Sequence, residues 1–184
     1  MTENQAAAGS ATAGAGGPTA VSTAAVNAVA ASGTKDEKNE GGALRRGASA
    51  GYRWLLLVFV LAGAVQIFLA GLGVFHLHSY GLDAPAGDSA LDPHRTLGFA
   101  MGGIALLILV LALAARPGIR AIAWAVVLVV QTDLLQSLLA GLGDDSPVWG
   151  GLHALDGLLA IAVACYLYGV ALARKRGERD RAKS

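Results

Sequence analysis

One eight-residue phrase occurs twice. Gln66 to Gly73 reads Q-I-F-L-A-G-L-G and Gln136 to Gly143 reads Q-S-L-L-A-G-L-G, identical at six of eight positions. Each copy closes an apolar stretch, is followed by an acidic loop and leads to a histidine that opens the next stretch, His94 in H-R-T-L-G and His153 in H-A-L-D-G. Matches of Ala, Gly and Leu are cheap in a chain rich in them, but the paired glutamines and the paired His-x-x-x-Gly are not. The chain therefore reads as a duplicated helical hairpin presenting two matched histidines.

Four apolar runs lie at roughly 54–75, 96–115, 119–141 and 149–172, each about 20 to 24 residues, the length that crosses a bilayer as a helix. The expected fold is all-α: an integral membrane four-helix bundle over 52–173, built from two parallel-repeat helical hairpins. A near-neutral net charge hides a sorting by side. Of fourteen Lys and Arg, thirteen fall on one side: Lys35, Lys38, Arg45, Arg46 and Arg53, then Arg116 and Arg120, then six from Arg174 onward. The opposite loops hold Asp83, Asp88, Asp92, Asp144 and Asp145, with Arg95 the lone base. The positive-inside rule places both termini in the cytoplasm and both histidines outside.

Residues 1–50, rich in Ala, Gly, Ser and Thr, cannot repay the entropy of folding and read as a disordered cytoplasmic tail, transiently helical at most around Val21 to Ala31. Arg45-Arg46 before an apolar run is reminiscent of a twin-arginine signal, but the run is too long and has no convincing cleavage site. Residues 174–184 read as a basic tail lying against anionic headgroups rather than as a nucleic-acid binder. Cys165, the only cysteine, falls inside the fourth span and reads as a packing residue.

Two hairpins of parallel sense imply a pseudo-twofold axis along the membrane normal. The second and fourth helices then stand diagonally, with His94 and His153 facing each other near the outer surface, where two imidazoles can clamp a flat macrocycle. Gly98 and Gly157 lie one turn on from each histidine and leave room for a porphyrin plane, followed on the same stripes by Gly102 and Ala105, and by Ala160 and Ala164. The competing reading is that small residues simply let membrane helices pack closely. Bis-histidine haem b uses one ligand from each repeat and needs no third. Arg95 is placed to pair with propionates. Asp156 shares a face with His153, to orient its imidazole or meet Arg95, while Asp133 lies deeper and one turn from Gln136, which with Gln66 forms a polar strip beneath the cofactor. A zinc or copper site would have to draw on His76 and His78. The fourth helix can start at Ser146-Pro147 or be delayed by Gly150-Gly151, which sets the depth of His153.

The order of an apolar helix ending in a glycine-rich turn, a loop with S-Y-G-L (Ser79 to Leu82), H-R-x-x-G (His94, Arg95, Gly98), an arginine-bounded inner loop, a glutamine-bearing third span and L-H-A-L (Leu152 to Leu155) resembles one four-helix half of the haem A synthase family. The likeness covers about residues 52–172, and it implies that His94 and His153 are haem ligands at the outer face. The family carries a glutamate three residues before the H-R histidine where this chain has Leu91, with Asp92 one residue nearer. It also has eight helices, so synthase activity here would require a half-size variant or a homodimer. Small four-helix bacterial membrane proteins of unknown function share the same look, and the Ala/Gly/Arg-rich composition suits a high-GC bacterium, in whose plasma membrane the chain is expected.

The sequence thus points to a membrane haem protein in electron transfer or haem-linked redox chemistry, in the bilayer beside a membrane redox partner. The alternatives are a non-catalytic membrane scaffold or partner subunit without cofactor, and an outward-facing metal-binding protein using His76, His78 and His94.

Overall fold

The computed structural model describes residues 23–80, 89–143 and 146–184. Its elements are helices: α1 (Thr23–Tyr80), α2 (Asp92–Ala115), α3 (Ile119–Val129), a π-helical turn (Val130–Leu135), α4 (Gln136–Gly143) and α5 (Pro147–Arg181). The chain divides into two units, Met1–Glu40 and Gly41–Ser184. In the first, the described residues 23–40 are helical. The second holds four helical segments long and apolar enough to cross a membrane: Gly41–Ser79, Asp92–Ala115, Ile119–Gly143 and Pro147–Arg181. The protein is an all-α, multi-pass membrane protein.

The bundle core is one residue deep on each helix. It comprises Tyr52, Leu56 and Phe59 of α1, Met101, Ala105, Ile108 and Ala112 of α2, Ala121, Ala125 and Leu128 of α3, and Ala160, Ala164, Leu167 and Ala171 of α5. Steps alternating four and three are the seam of helices crossing at a shallow angle, and the alanines let the backbones approach. Phe68, Phe99 and Leu107 are among the large apolar side chains left on the outside, where lipid replaces a protein neighbour.

The duplication persists in this core. Met101, Ala105, Ile108 and Ala112 correspond to Ala160, Ala164, Leu167 and Ala171 at a constant spacing of 59, the spacing of His94 and His153. Tyr52, Leu56 and Phe59 correspond to Ala121, Ala125 and Leu128 at a spacing of 69, yet Gln66 and Gln136 are 70 apart. The third span therefore carries one extra residue between its core and its glutamine. The π turn at Val130–Leu135 lies between the two and absorbs it, because i→i+5 bonding widens one turn while the helix continues on both sides.

α2 packs on α3 and the π turn, and α5 packs on α3, the π turn and α4. α1 reaches α2 through Gln66 at His94, and α5 through Gly63, where a Cβ would run into Ile161. α2 and α5 thus occupy opposite corners. At the place equivalent to Gly63 and Ile161, the third span meets α2 with the sizes exchanged: the Asp133 carboxylate lies where a side chain on Gly102 would stand.

Three boundaries refine the sequence reading. The described residues 23–50 are helical; Ala-rich sequence has high helical propensity, and Ala48 is already buried. The basic 174–184 segment is mostly a continuation of α5 to Arg181, since Lys, Arg and Glu are good helix formers and Arg179 and Arg181 complement the carboxyl end of the helix. α5 starts at Pro147, with the Ser146 Oγ accepting from the Val148 N–H, so Gly150-Gly151 does not delay it. Residues 1–22, Gly81 and Leu82 of the S-Y-G-L loop, and Asp83, Asp88, Asp144 and Asp145 lie outside the described residues.

Candidate functional site

Each hairpin ties its histidine to its glutamine by a reciprocal pair of hydrogen bonds. Gln66 Nε2 donates to the His94 backbone carbonyl at 2.8 Å, and His94 Nδ1 lies 3.2 Å from the Gln66 backbone carbonyl. Gln136 Nε2 donates to the His153 carbonyl at 2.9 Å, and His153 Nδ1 lies 3.2 Å from the Gln136 carbonyl. A carbonyl oxygen only accepts, so each Nδ1 carries the proton and donates it, and each Nε2 keeps a free lone pair. Among the described residues no hydrogen bond engages either Nε2.

The two rings meet across the pseudo-twofold axis, with centroids 6.0 Å apart and planes at 71°. A metal bound by one nitrogen of each ring at about 2 Å holds the ring centres about 6 Å apart once the ring radii are added. Donation of the second ring N–H to a backbone carbonyl is also how ligand imidazoles are ordinarily oriented. His94 sits in the first turn of α2 and His153 further into α5, yet they meet, because each is fixed to the matching glutamine of its own hairpin.

The glycines serve these glutamines. A Cβ on Gly98 would stand 3.2 Å from Gln66 Nε2, and one on Gly157 would stand 3.7 Å from Gln136 Nε2. The space beside each glycine thus holds an amide. Further down the stripes, Gly102 lies against Asp133, and Ala105, Ala160 and Ala164 are buried between helices.

Behind the matched pairs the hairpins differ. Asp156, only 5% exposed, accepts from Gln136 Nε2 at 2.8 Å and from Gln131 Nε2 at 3.2 Å. Residues five apart on an α-helix point about 140° apart, so Gln131 and Gln136 reach one carboxylate because the π turn brings i and i+5 onto one face. The extra residue of the third span is what recruits Gln131. The first hairpin has no such support, and Gln66 Oε1 is buried without a donor, as is Gln131 Oε1.

Other residues singled out from the sequence lie elsewhere. Asp156 meets neither Arg95 nor the His153 ring; Arg95 instead pairs with Asp92 at 3.3 Å on an exposed rim. Asp133 is exposed beside Gly102, outside the network around Gln136. Cys165 is on an exposed face rather than packed inside. His76 is half-buried and His78 exposed, and among the described residues no three His, Cys, Asp or Glu side chains gather as a metal site would need. Gln131 escaped the sequence reading, although the change of spacing from 69 to 70 marks the place where it acquires its role.

Fold and contacts together define a small four-span membrane protein in which two hairpins each present one imidazole to the other. Residues 66–140 match a family described as Family of unknown function (DUF6220), a stretch that begins at Gln66, passes His94 and Gln136, and ends before His153. No curated protein and no solved structure matches the chain.

Proposed function

We propose that this chain is a b-type haem protein of a bacterial plasma membrane, with His94 and His153 as axial ligands near the extracytoplasmic face, working in electron transfer or haem-linked redox chemistry. The observation that carries this reading is the pair of imidazoles 6.0 Å apart, each with Nδ1 tied to a carbonyl and Nε2 free. Two donors suffice for an iron already held by a porphyrin, whereas a structural zinc site wants about four. Bound there, haem would supply a one-electron couple. The chain's own residues would hold the imidazoles in one tautomer, keep lipid-facing helices around the site and place the buried Asp156 carboxylate behind His153.

Gln66 and Gln136 orient the ligands, and Gly98 and Gly157 give the glutamine amides room to do so. Arg95, on the outer rim, is the base available to a propionate. Likeness to half of a haem A synthase is part of this reading only in fold and ligand placement, because Leu91 stands where that family's glutamate would be.

The test is the visible spectrum of protein purified from haem-sufficient cells. A red preparation with a sharp Soret band and low-spin bands is expected; colourless protein after haem supplementation would overturn the reading in favour of a scaffold. The sidedness has its own test. Single cysteines at Ser89 and Ser146 should react with an impermeant thiol reagent in whole cells while cysteines at Ser10 and Ser184 do not, and the opposite pattern would place the histidines in the cytoplasm.

A further inference from the structure

The two histidines are matched in their own contacts and unmatched in what stands behind them. Three amide hydrogen bonds clip the third span to the helix bearing His153: Gln136 to the His153 carbonyl at 2.9 Å, Gln136 to Asp156 at 2.8 Å and Gln131 to Asp156 at 3.2 Å. One clips α1 to the helix bearing His94, from Gln66 at 2.8 Å. Each additional intramolecular hydrogen bond adds to the hold of one helix on the next.

Position adds to the difference. His94 is in the first turn of α2, where backbone N–H groups lack intrahelical partners and fraying begins, while His153 lies beyond the first turn of α5. Among the described residues Gln66 Oε1 and Gln131 Oε1 are both buried acceptors with no donor, so the inequality lies in the donated bonds and in the helix positions.

The geometry points to His94 as the exchangeable axial ligand and His153 as the permanent one, with Gln131, Gln136 and Asp156 as the positioning residues that create the inequality. This rests on the haem reading above. With haem bound, His94 Nε2 would be the donor that a neutral ligand with its own lone pair could replace, one dative bond for another, with no electron or proton transferred.

Full-length protein carrying His94→Gly or His153→Gly, purified in detergent, distinguishes the two sides. His94→Gly should keep haem on His153 in a high-spin state that added imidazole returns to low-spin. His153→Gly should retain about tenfold less haem, the ratio expected from two additional hydrogen bonds. Adding Gln131→Ala and Asp156→Ala to His94→Gly should bring its haem content down to that of His153→Gly. Equal or reversed retention in the single variants would overturn the inference, while a wild type without haem would sink the haem reading itself. Should both glycine variants fail to fold, carbon monoxide on the reduced wild type decides. Its C–O stretch should shift in Gln66→Leu and not in Gln131→Leu, and the reverse pattern would place the open side at His153.

Discussion

The first hairpin and the second deliver the same imidazole geometry from different foundations. In both, a glutamine and a histidine exchange two hydrogen bonds of nearly equal length. In the first, no further hydrogen bond holds the glutamine among the described residues; in the second, the π turn adds a residue, swings Gln131 onto the same face as Gln136, and gives both to the buried Asp156. Duplication therefore accounts for the matched contacts of the two rings, and one inserted residue accounts for the additional hydrogen bonds behind the second.

The largest effect expected is on the ligands that the two hairpins share. His94→Ala combined with His153→Ala should abolish haem absorbance, whereas His76→Ala combined with His78→Ala should leave it unchanged; an unchanged spectrum in the first double variant would remove the basis for comparing the hairpins as ligand carriers. Next in size is removal of the inequality itself. Deleting Thr132 would return the third span to the length of the first and turn Gln131 away from Asp156. Interhelical hydrogen bonds in membranes average about 0.6 and reach about 1.7 kcal/mol, so loss of the Gln131–Asp156 bond should register within that range in an unfolding titration in mixed detergent. Deleting Ala62 from the first span, which has no residue to spare, should be far more damaging.

Gln136→Ala and Gln66→Ala compare the hairpins at a single atom group. The first variant removes donation to both the His153 carbonyl and Asp156, and the second removes donation to the His94 carbonyl alone. Gln136→Ala should cost about twice as much as Gln66→Ala in the same titration, on the same per-bond scale, and equal costs would show that Asp156 adds nothing to the second hairpin. The smallest effect is at the rim. Arg95→Gln breaks an ion pair with Asp92 whose partners are 58% and 60% exposed, and exposed pairs contribute about 0–1 kcal/mol before salt screening. Thermal stability of the apoprotein should barely change, so any loss of haem in this variant reports on propionate contact.

Much of this was legible in the residues because membrane helices advertise themselves by length and the repeat by its glutamines and histidines. The four spans, the diagonal placement of α2 and α5 and the meeting of His94 with His153 all follow from an apolar pattern and a twofold axis. What stayed hidden was set by finer terms. Helix ends at Thr23 and Arg181 depend on propensity outside the apolar runs, which hydropathy does not report. The role of Gly98 and Gly157 was ambiguous because an absent side chain admits any neighbour, and the neighbour proved to be a glutamine amide. Asp156 looked like a partner for His153 three residues away on its own helix, but its acceptors face across to the third span, where a π turn makes two glutamines converge. A wide turn has no hydropathy signature; only the mismatch of spacings within the repeat betrays it.

The exchanged sizes at Gly63 with Ile161 and at Gly102 with Asp133 make each hairpin a poor mate for its own kind. Two copies of the first hairpin would bring glycine to glycine and leave a void at both seams; two copies of the second would drive an aspartate against an isoleucine. Only the mixed pair closes. If the ancestor was a single hairpin that assembled with itself, these exchanges made the two halves complementary to each other rather than each to itself.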